Sequence, residues 1–249
     1  MPSANSSANS PALSQPSNTH APESAVVTTR FMQRLVHEIR SPAHGIHITL
    51  RMLEDSLSAS DLSEEAQEAL SLLVSSTEEM RASLRSIARY VHTMDSVQAV
   101  VLDLHARVEE VWSKLTKGQE NSPRFENQIE QVTLEGDDRL FDLAVECVLE
   151  NAIKFQATDR ASQVVATSEV TEDAVVLRFS DNGIGIETEY MDKCYEDFER
   201  LFPRSVYPGA GLGISTIQRS IEHLDGSFAL ESEPGVGTTV TLRFPHKQS

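Results

Sequence analysis

The stretches FMQRLVHEIRSPAHGI, residues 31–46, and DNGIGI, residues 181–186, divide the chain into two kinds of structure. Around the first, Leu35, Ile39, Pro42, Ile46, Leu50 and Leu53 recur at intervals of three and four. After a polar break over residues 58–63 the pattern resumes as Ala66, Ala69, Leu73, Thr77, Met80, Leu84, Ile87, Val91 and Met94. That spacing is the seam of a helix packed on another helix. Ser60 and Asp61, ahead of Glu64 and Glu65, read as the amino-terminal start of the second helix, with acids in its first turn. The two helices therefore form an antiparallel hairpin. Its uncovered apolar surface predicts pairing with a second copy into a dimeric four-helix bundle, hence a homodimer.

Residues 1–29 are rich in Ser, Pro, Asn and Ala and nearly free of large apolar side chains, so they read as a disordered tail. From about Val100 the periodicity changes. VVLDLHARVEEVWSKL suggests a short strand and a helix, QVTLEG ends another strand at Gly136, and Leu140, Leu143, Ala144, Cys147, Val148 and Ile153 give an apolar face to a helix from about Asp138 to Phe155. SQVVATSEV and AVVLRFS flank Glu172 and Asp173 as a hairpin leading into DNGIGI. A further helix runs from about Gly211 to Leu224, followed by GSFALES and TTVTLRF around the turn Pro234–Gly237. The expected class is α+β: a tail over 1–29, the helical hairpin over 30–97, and an α/β sandwich over 98–249.

Composition narrows the function. With 39% hydrophobic and 24% charged residues the chain is globular, and a formal charge of -17 argues against a nucleic-acid partner. Cys147 and Cys194 are too far apart in sequence to suggest a disulfide framework or a zinc cluster, which fits a reducing compartment. No segment approaches the roughly 18 apolar residues of a membrane span. The expectation is a cytoplasmic protein without membrane association.

His37 lies two residues past Leu35, about 200° around the helix from the seam, and is expected to face solvent. An exposed neutral imidazole can attack a phosphoryl group brought to it, and Glu38 is placed to accept the ring proton. Pro42 removes a helical hydrogen bond and costs about 3 kcal/mol, which points to a functional reason for the local geometry. His44 and His47 have no third ligand at suitable spacing for a metal. In the second stretch, Gly183 and Gly185 let backbone approach a ligand, and Asp181 at a strand end can accept a hydrogen bond from the exocyclic amine of adenine. Gly209, Gly211 and Gly213 of YPGAGLG precede a helix whose free N–H groups suit phosphates. Asn151 and Lys154 of CVLENAIKF sit nearly one turn apart and offer a neutral oxygen for Mg²⁺ and a cation for phosphate.

HEIRSP resembles the phosphoacceptor block of the commonest class of histidine kinases. The resemblance implies that His37 is autophosphorylated, that Glu38 is the base, and that Ser41 helps position water for dephosphorylating the partner. CVLENAIKF, DNGIGI, YEDFERLF and YPGAGLG are similar, in order, to the nucleotide-binding blocks of the ATPase fold shared by histidine kinases, gyrase, heat-shock chaperones and mismatch-repair ATPases. By that resemblance Asn151 holds Mg²⁺, Lys154 contacts phosphate and Asp181 reads adenine. Gly183, Gly185, Gly211 and Gly213 shape the pocket and lid, and Phe198, Gly209, Leu212 and Thr238 complete the cofactor-binding set for ATP. The short lid is most similar to phytochrome-type output kinases. Family members often carry Asn or Glu where this chain has Cys147, a poor Mg²⁺ ligand. The implied partners are a separate response-regulator receiver domain and a separate sensor or input protein. Two other readings are a phosphate relay with a decayed nucleotide domain, supported by Cys147, and a mechanical ATPase, which has no need of HEIRSP.

Overall fold

The computed structural model describes residues 23–56, 63–94, 98–119, 121–203, 206–207 and 209–246. Helix α1 (Glu23–Ser56) and helix α2 (Glu64–His92) form the hairpin. The first helix begins inside the stretch expected to be tail and runs unbroken through Pro42; residues 1–22 lie outside the described residues. Ser60 and Asp61 also lie outside them. The observed cap of α2 is Ser63, in an extended conformation, whose hydroxyl accepts from the Ala66 N–H at 3.3 Å ahead of Glu64 and Glu65. The start signal was right in kind and three residues early.

The seam of α1 needs correction. Val36, Ala43 and His47 are the residues buried against α2, with the His47 Nδ1 3.3 Å from the Thr77 hydroxyl. Leu35, Ile39, Ile46 and Leu53 are each more than 40% exposed. Val36, Ala43 and the hydrogen-bonded His47 bring the two helices together, and the leucine and isoleucine stripe is left on the outside of the single chain. On α2 the reading fares better, since Thr77, Leu84 and Val91 are buried while Leu73 and Met80 are exposed. Arg51, which bonds both Glu54 and Glu78, adds an ion pair across the hairpin.

The remaining chain is a helix layer on a sheet. Strand β1 (Val100–Asp103) pairs antiparallel with β3 (Thr133–Gly136) as a small separate ribbon. Helices α3 (Leu104–Thr116), α4 (Asp138–Lys154) and α5 (Gly213–Glu222) cover the main sheet. That sheet is formed by β2 (Arg124–Gln128), β4 (Gln163–Val170), β5 (Ala174–Asp181), β7 (Gly237–Pro245) and β6 (Ser227–Glu233), in that spatial order. Its core face is built from cross-strand pairs Val175–Phe244, Leu177–Leu242 and Phe179–Val240, while Ser180–Thr239 and Arg178–Thr241 face the other side.

Strand β2 carries no strand signature in its sequence. Its RFENQ has one large apolar residue, Phe125, which stacks on Trp112 of α3 at 4.5 Å between ring centroids. An edge strand with a single inward side chain has no alternation to detect. Helix α4 starts from the buried Asp137, whose carboxylate accepts from the Arg139 and Leu140 N–H groups and from the Gln98 N–H. That anchoring directs the far end of α4 toward the cavity described next.

Candidate active site

Two turns of backbone meet at the end of β5. The Asp181 carboxylate accepts from the Gly183 N–H at 2.8 Å and the Thr238 N–H at 3.3 Å, so DNGIGI is tied to the first residues of β7. Burial pushes its carboxyl above the usual carboxylate range, against the pull of those two N–H groups. A side chain on Gly183 would strike the Phe155 carbonyl. Gly185, with φ 69°, would strike the Glu233 carbonyl. Gly183 therefore acts by letting the turn close on α4 and does not itself line the cavity.

The cavity has a volume of about 220 Å³. Asp181, Phe179, Ile186, Leu230, Thr238 and Val240 surround its sheet end, a flat apolar slot with one carboxylate. Asn151, Lys154, Gly209, Gly211, Leu212 and Gly213 surround its helix end. Among the described residues no hydrogen bond engages the Asn151 amide, which lies against Gly213, where the absence of a side chain leaves it open. Burial, and then the neighbouring Arg200 charge, push the Lys154 ammonium down to about 8. Its Nζ sits 4.8 Å from the Phe155 ring centroid and 5.8 Å from that of Tyr207.

The segment after Phe198 forms the cavity's outer wall. Phe155, Phe202 and Tyr207 cluster with centroids 4.8–5.9 Å apart. The Arg200 guanidinium donates to the Gly209 carbonyl, to the Tyr207 carbonyl at 2.6 Å and to the Phe202 carbonyl at 3.3 Å. Gly211, with φ 77°, allows close approach to the Glu199 carbonyl. Sequence reasoning missed Arg200, Phe202 and Tyr207; the only signal was their place beside the glycines. Phe198, by contrast, is not in the cavity. Its φ of 68° turns the backbone so that its N–H donates to the Gly211 carbonyl, and its ring is 60% exposed.

Cys147 lines the cavity floor, and burial pushes its thiol up to about 12, so it is a neutral group there. Beside it, Arg89 of α2 bonds Glu150 at 2.7 Å and approaches Glu146 at 3.8 Å. A second tie joins the Tyr90 hydroxyl to the Asp197 carboxylate at 2.7 Å, with the Arg219 guanidinium 4.6 Å over the Tyr90 ring. These contacts hold the hairpin against the sheet domain.

His37 and Ser41 are exposed on α1, away from the cavity. The side chains of Glu38 and Pro42 lie outside what the structure describes. His47 is buried on Thr77 and His44 is exposed, and among the described residues no cluster of three metal-ligating side chains occurs. No helix among the described residues is long and apolar enough to cross a membrane.

Residues 136–248 match the family of histidine kinase-, DNA gyrase B- and HSP90-like ATPases. Over most of its length the chain is 26% identical to the autoinducer 2 sensor kinase/phosphatase LuxQ of Vibrio parahaemolyticus, covering 91% of this chain and 27% of that protein. It is 27% identical to the phytochrome-like protein Cph1 of Synechocystis, covering 87% and 29%. The chain thus spans under a third of the length of these relatives. Its fold is similar to that of full-length ShkA in complex with AMPPNP, with a TM-score of 0.64, 19% identity, and coverage of 87% of this chain and 46% of that one. The Acinetobacter baumannii histidine kinase AdeS gives a TM-score of 0.56 at 20% identity, covering 85% and 98%.

Proposed function

We propose that the chain carries a sensor histidine kinase catalytic core, with residues 136–248 as its ATP-binding part, and that it phosphorylates its own His37 from ATP. The observation that carries this reading is the pairing of an exposed His37 on α1 with a cavity that holds a carboxylate at one end and a lysine at the other, and whose floor is bonded to α2 through Arg89. The Asp181 carboxylate accepts from the adenine amino group while Phe179, Ile186 and Val240 exclude water from the ring faces. Lys154 and the N–H groups at the start of α5 hold the phosphates.

His37 attacks the terminal phosphorus with a ring-nitrogen lone pair, the bond to the bridging oxygen breaks, and that electron pair leaves with ADP. Glu38 takes the ring proton. Ser41, one turn on, positions water for the reverse hydrolysis of a phosphorylated partner. The Asn151 amide oxygen fits a hard cation such as Mg²⁺, with Glu146 and Glu150 on the same helix; Cys147 contributes nothing as a neutral thiol. When bound, Mg²⁺ neutralises phosphate oxygens.

The phosphoryl group passes from His37 to an aspartate of a separate response-regulator receiver domain, and a separate sensor protein supplies the input. The acting unit is a homodimer, because Leu35, Ile39, Ile46 and Leu53 form an uncovered apolar stripe on α1. Incubation with ATP labelled at the terminal phosphate tests the proposal. An acid-labile, base-stable label that is lost in His37→Ala supports it; no such label with Mg²⁺ present and nucleotide bound overturns it.

A further inference from the structure

A second cleft, about 440 Å³ in volume, opens between α1, α2 and α4 and is lined by Arg40, His44, Arg81, Arg85, Arg89 and His92. The chain has 38 acidic residues against 21 Lys and Arg, so carboxylates to neutralise every arginine are in ample supply. Among the described residues only two of them, Glu146 and Glu150, line this cleft, and both lie on Arg89. Arg89 is bonded to Glu150, but among the described residues no carboxylate is bonded to Arg40, Arg81 or Arg85. Burial, then the neighbouring Arg81, Arg89 and Arg40 charges, push the Arg85 guanidinium below its ordinary range. Like charges gathered on one concave surface oppose folding unless an anion shares them.

The cleft's position says which anion. The His47–Thr77 hydrogen bond sets the register of the hairpin. Ten residues back along α1 and ten forward along α2, His37 comes level with Ile87, between Arg85 and Arg89. Arg40 and His44 follow His37 on the same stripe of α1 at the next two turns. The far wall is shared: Arg89 and Glu150 line this cleft and the nucleotide cavity alike.

A second copy of the chain does not supply the missing carboxylates. Measured from the buried Ala43, Arg40 and His44 lie about 60° and 100° around α1 to one side, and Leu35, Ile39, Ile46 and Leu53 about 40–80° to the other. A partner helix seated on the apolar stripe faces away from the cleft.

We propose that this cleft is a phosphate-binding site in which Arg81 and Arg85, with Arg40, hold the phosphoryl group carried by His37. This rests on the kinase reading above. The ligand chemistry is a phosphate dianion, supplied either covalently on His37 or as free phosphate.

The test uses the full chain and two double variants, Arg81→Gln with Arg85→Gln and Arg81→Lys with Arg85→Lys. In the glutamine pair, phosphohistidine formation at saturating ATP falls by about tenfold or more while the KM for ATP holds within about twofold, and the phosphohistidine hydrolyses faster. The lysine pair recovers most of the rate. An unchanged rate in the glutamine pair overturns the proposal. So does a rise in KM alone, or an equal loss in the lysine pair with a lowered melting temperature. If the unaltered chain forms no phosphohistidine, the kinase reading has failed by itself, and titration of the ADP-saturated chain with inorganic phosphate decides the site. Binding that is lost in the glutamine pair and kept in Lys154→Met establishes a site fed by free phosphate. Absence of binding removes it.

Discussion

Asp181 and Lys154 do opposite things with burial. The Asp181 carboxylate is held by two backbone N–H groups at the end of β5, so it stays in place as an acceptor although burial disfavours its charge. Asp181→Asn keeps the shape and turns an acceptor into a group that also presents a donor. Nucleotide affinity, read by fluorescence titration, is expected to fall about 10–100-fold, the worth of a hydrogen bond to a charged group. Lys154 titrates near 8 in the folded chain against 10.5 for an ordinary lysine. Between those values the fold releases a proton that the unfolded chain keeps. The destabilisation is absent above 10.5, grows as pH falls through that window, and is complete below about 8. A phosphate bound beside it would restore the ammonium. Calorimetry in buffers of different ionisation enthalpy should therefore detect proton uptake on nucleotide binding at pH 8–9, and Lys154→Arg should abolish it. Equal heats in all buffers would refute this.

At the scale of elements, α2 has two duties. One face packs on α1 through Thr77, Leu84 and Val91, and its last turns reach the sheet domain through Arg89 and Tyr90. The Tyr90–Asp197 hydrogen bond joins the hairpin to the segment leading into the cavity's outer wall. Tyr90→Phe removes that bond while leaving the ring beneath Arg219. It should weaken docking of the two domains by about 1 kcal/mol, roughly fivefold in the docked population. Small-angle scattering would show a larger radius with nucleotide affinity unchanged; an unaltered scattering curve would remove the contact from any account of domain docking.

For the whole molecule, the apolar stripe of α1 is the feature a single chain leaves unfinished. Leu35, Ile39, Ile46 and Leu53 stand on one side of the hairpin, with Leu73 and Met80 of α2 also exposed. A four-helix bundle with a second copy would bury them. Ile46→Glu places a charge in that stripe and should convert the dimer to monomer at micromolar concentration, as read by light scattering. A monomeric parent chain would dismiss the homodimer instead.

Much of this architecture was legible in local pattern. The heptad spacing announced two paired helices, and the alternation in AVVLRFS and TTVTLRF announced core strands. The glycines at 183, 185 and 211 stand where backbone must approach backbone, so their place in the chain carried its own reason. Other features were decided by contacts between distant segments. Phe198 read as a pocket residue until its left-handed backbone turned the ring outward, and Phe202 and Tyr207 took its place against Phe155. Which stripe of α1 faces α2 depends on contacts between the two helices, and Val36, Ala43 and His47, with its bond to Thr77, won over the leucine and isoleucine seam. Strand β2 exists because β4 offers it an edge and Trp112 a ring to stack on. The arginine cleft is likewise invisible along the chain, since Arg40, Arg81 and Arg85 become neighbours only when the hairpin closes. Periodicity and glycine chemistry act over a few residues, and the sequence by itself determines what they govern. Charge clustering, helix facing and edge pairing act across the gaps between elements, where only the tertiary structure decides.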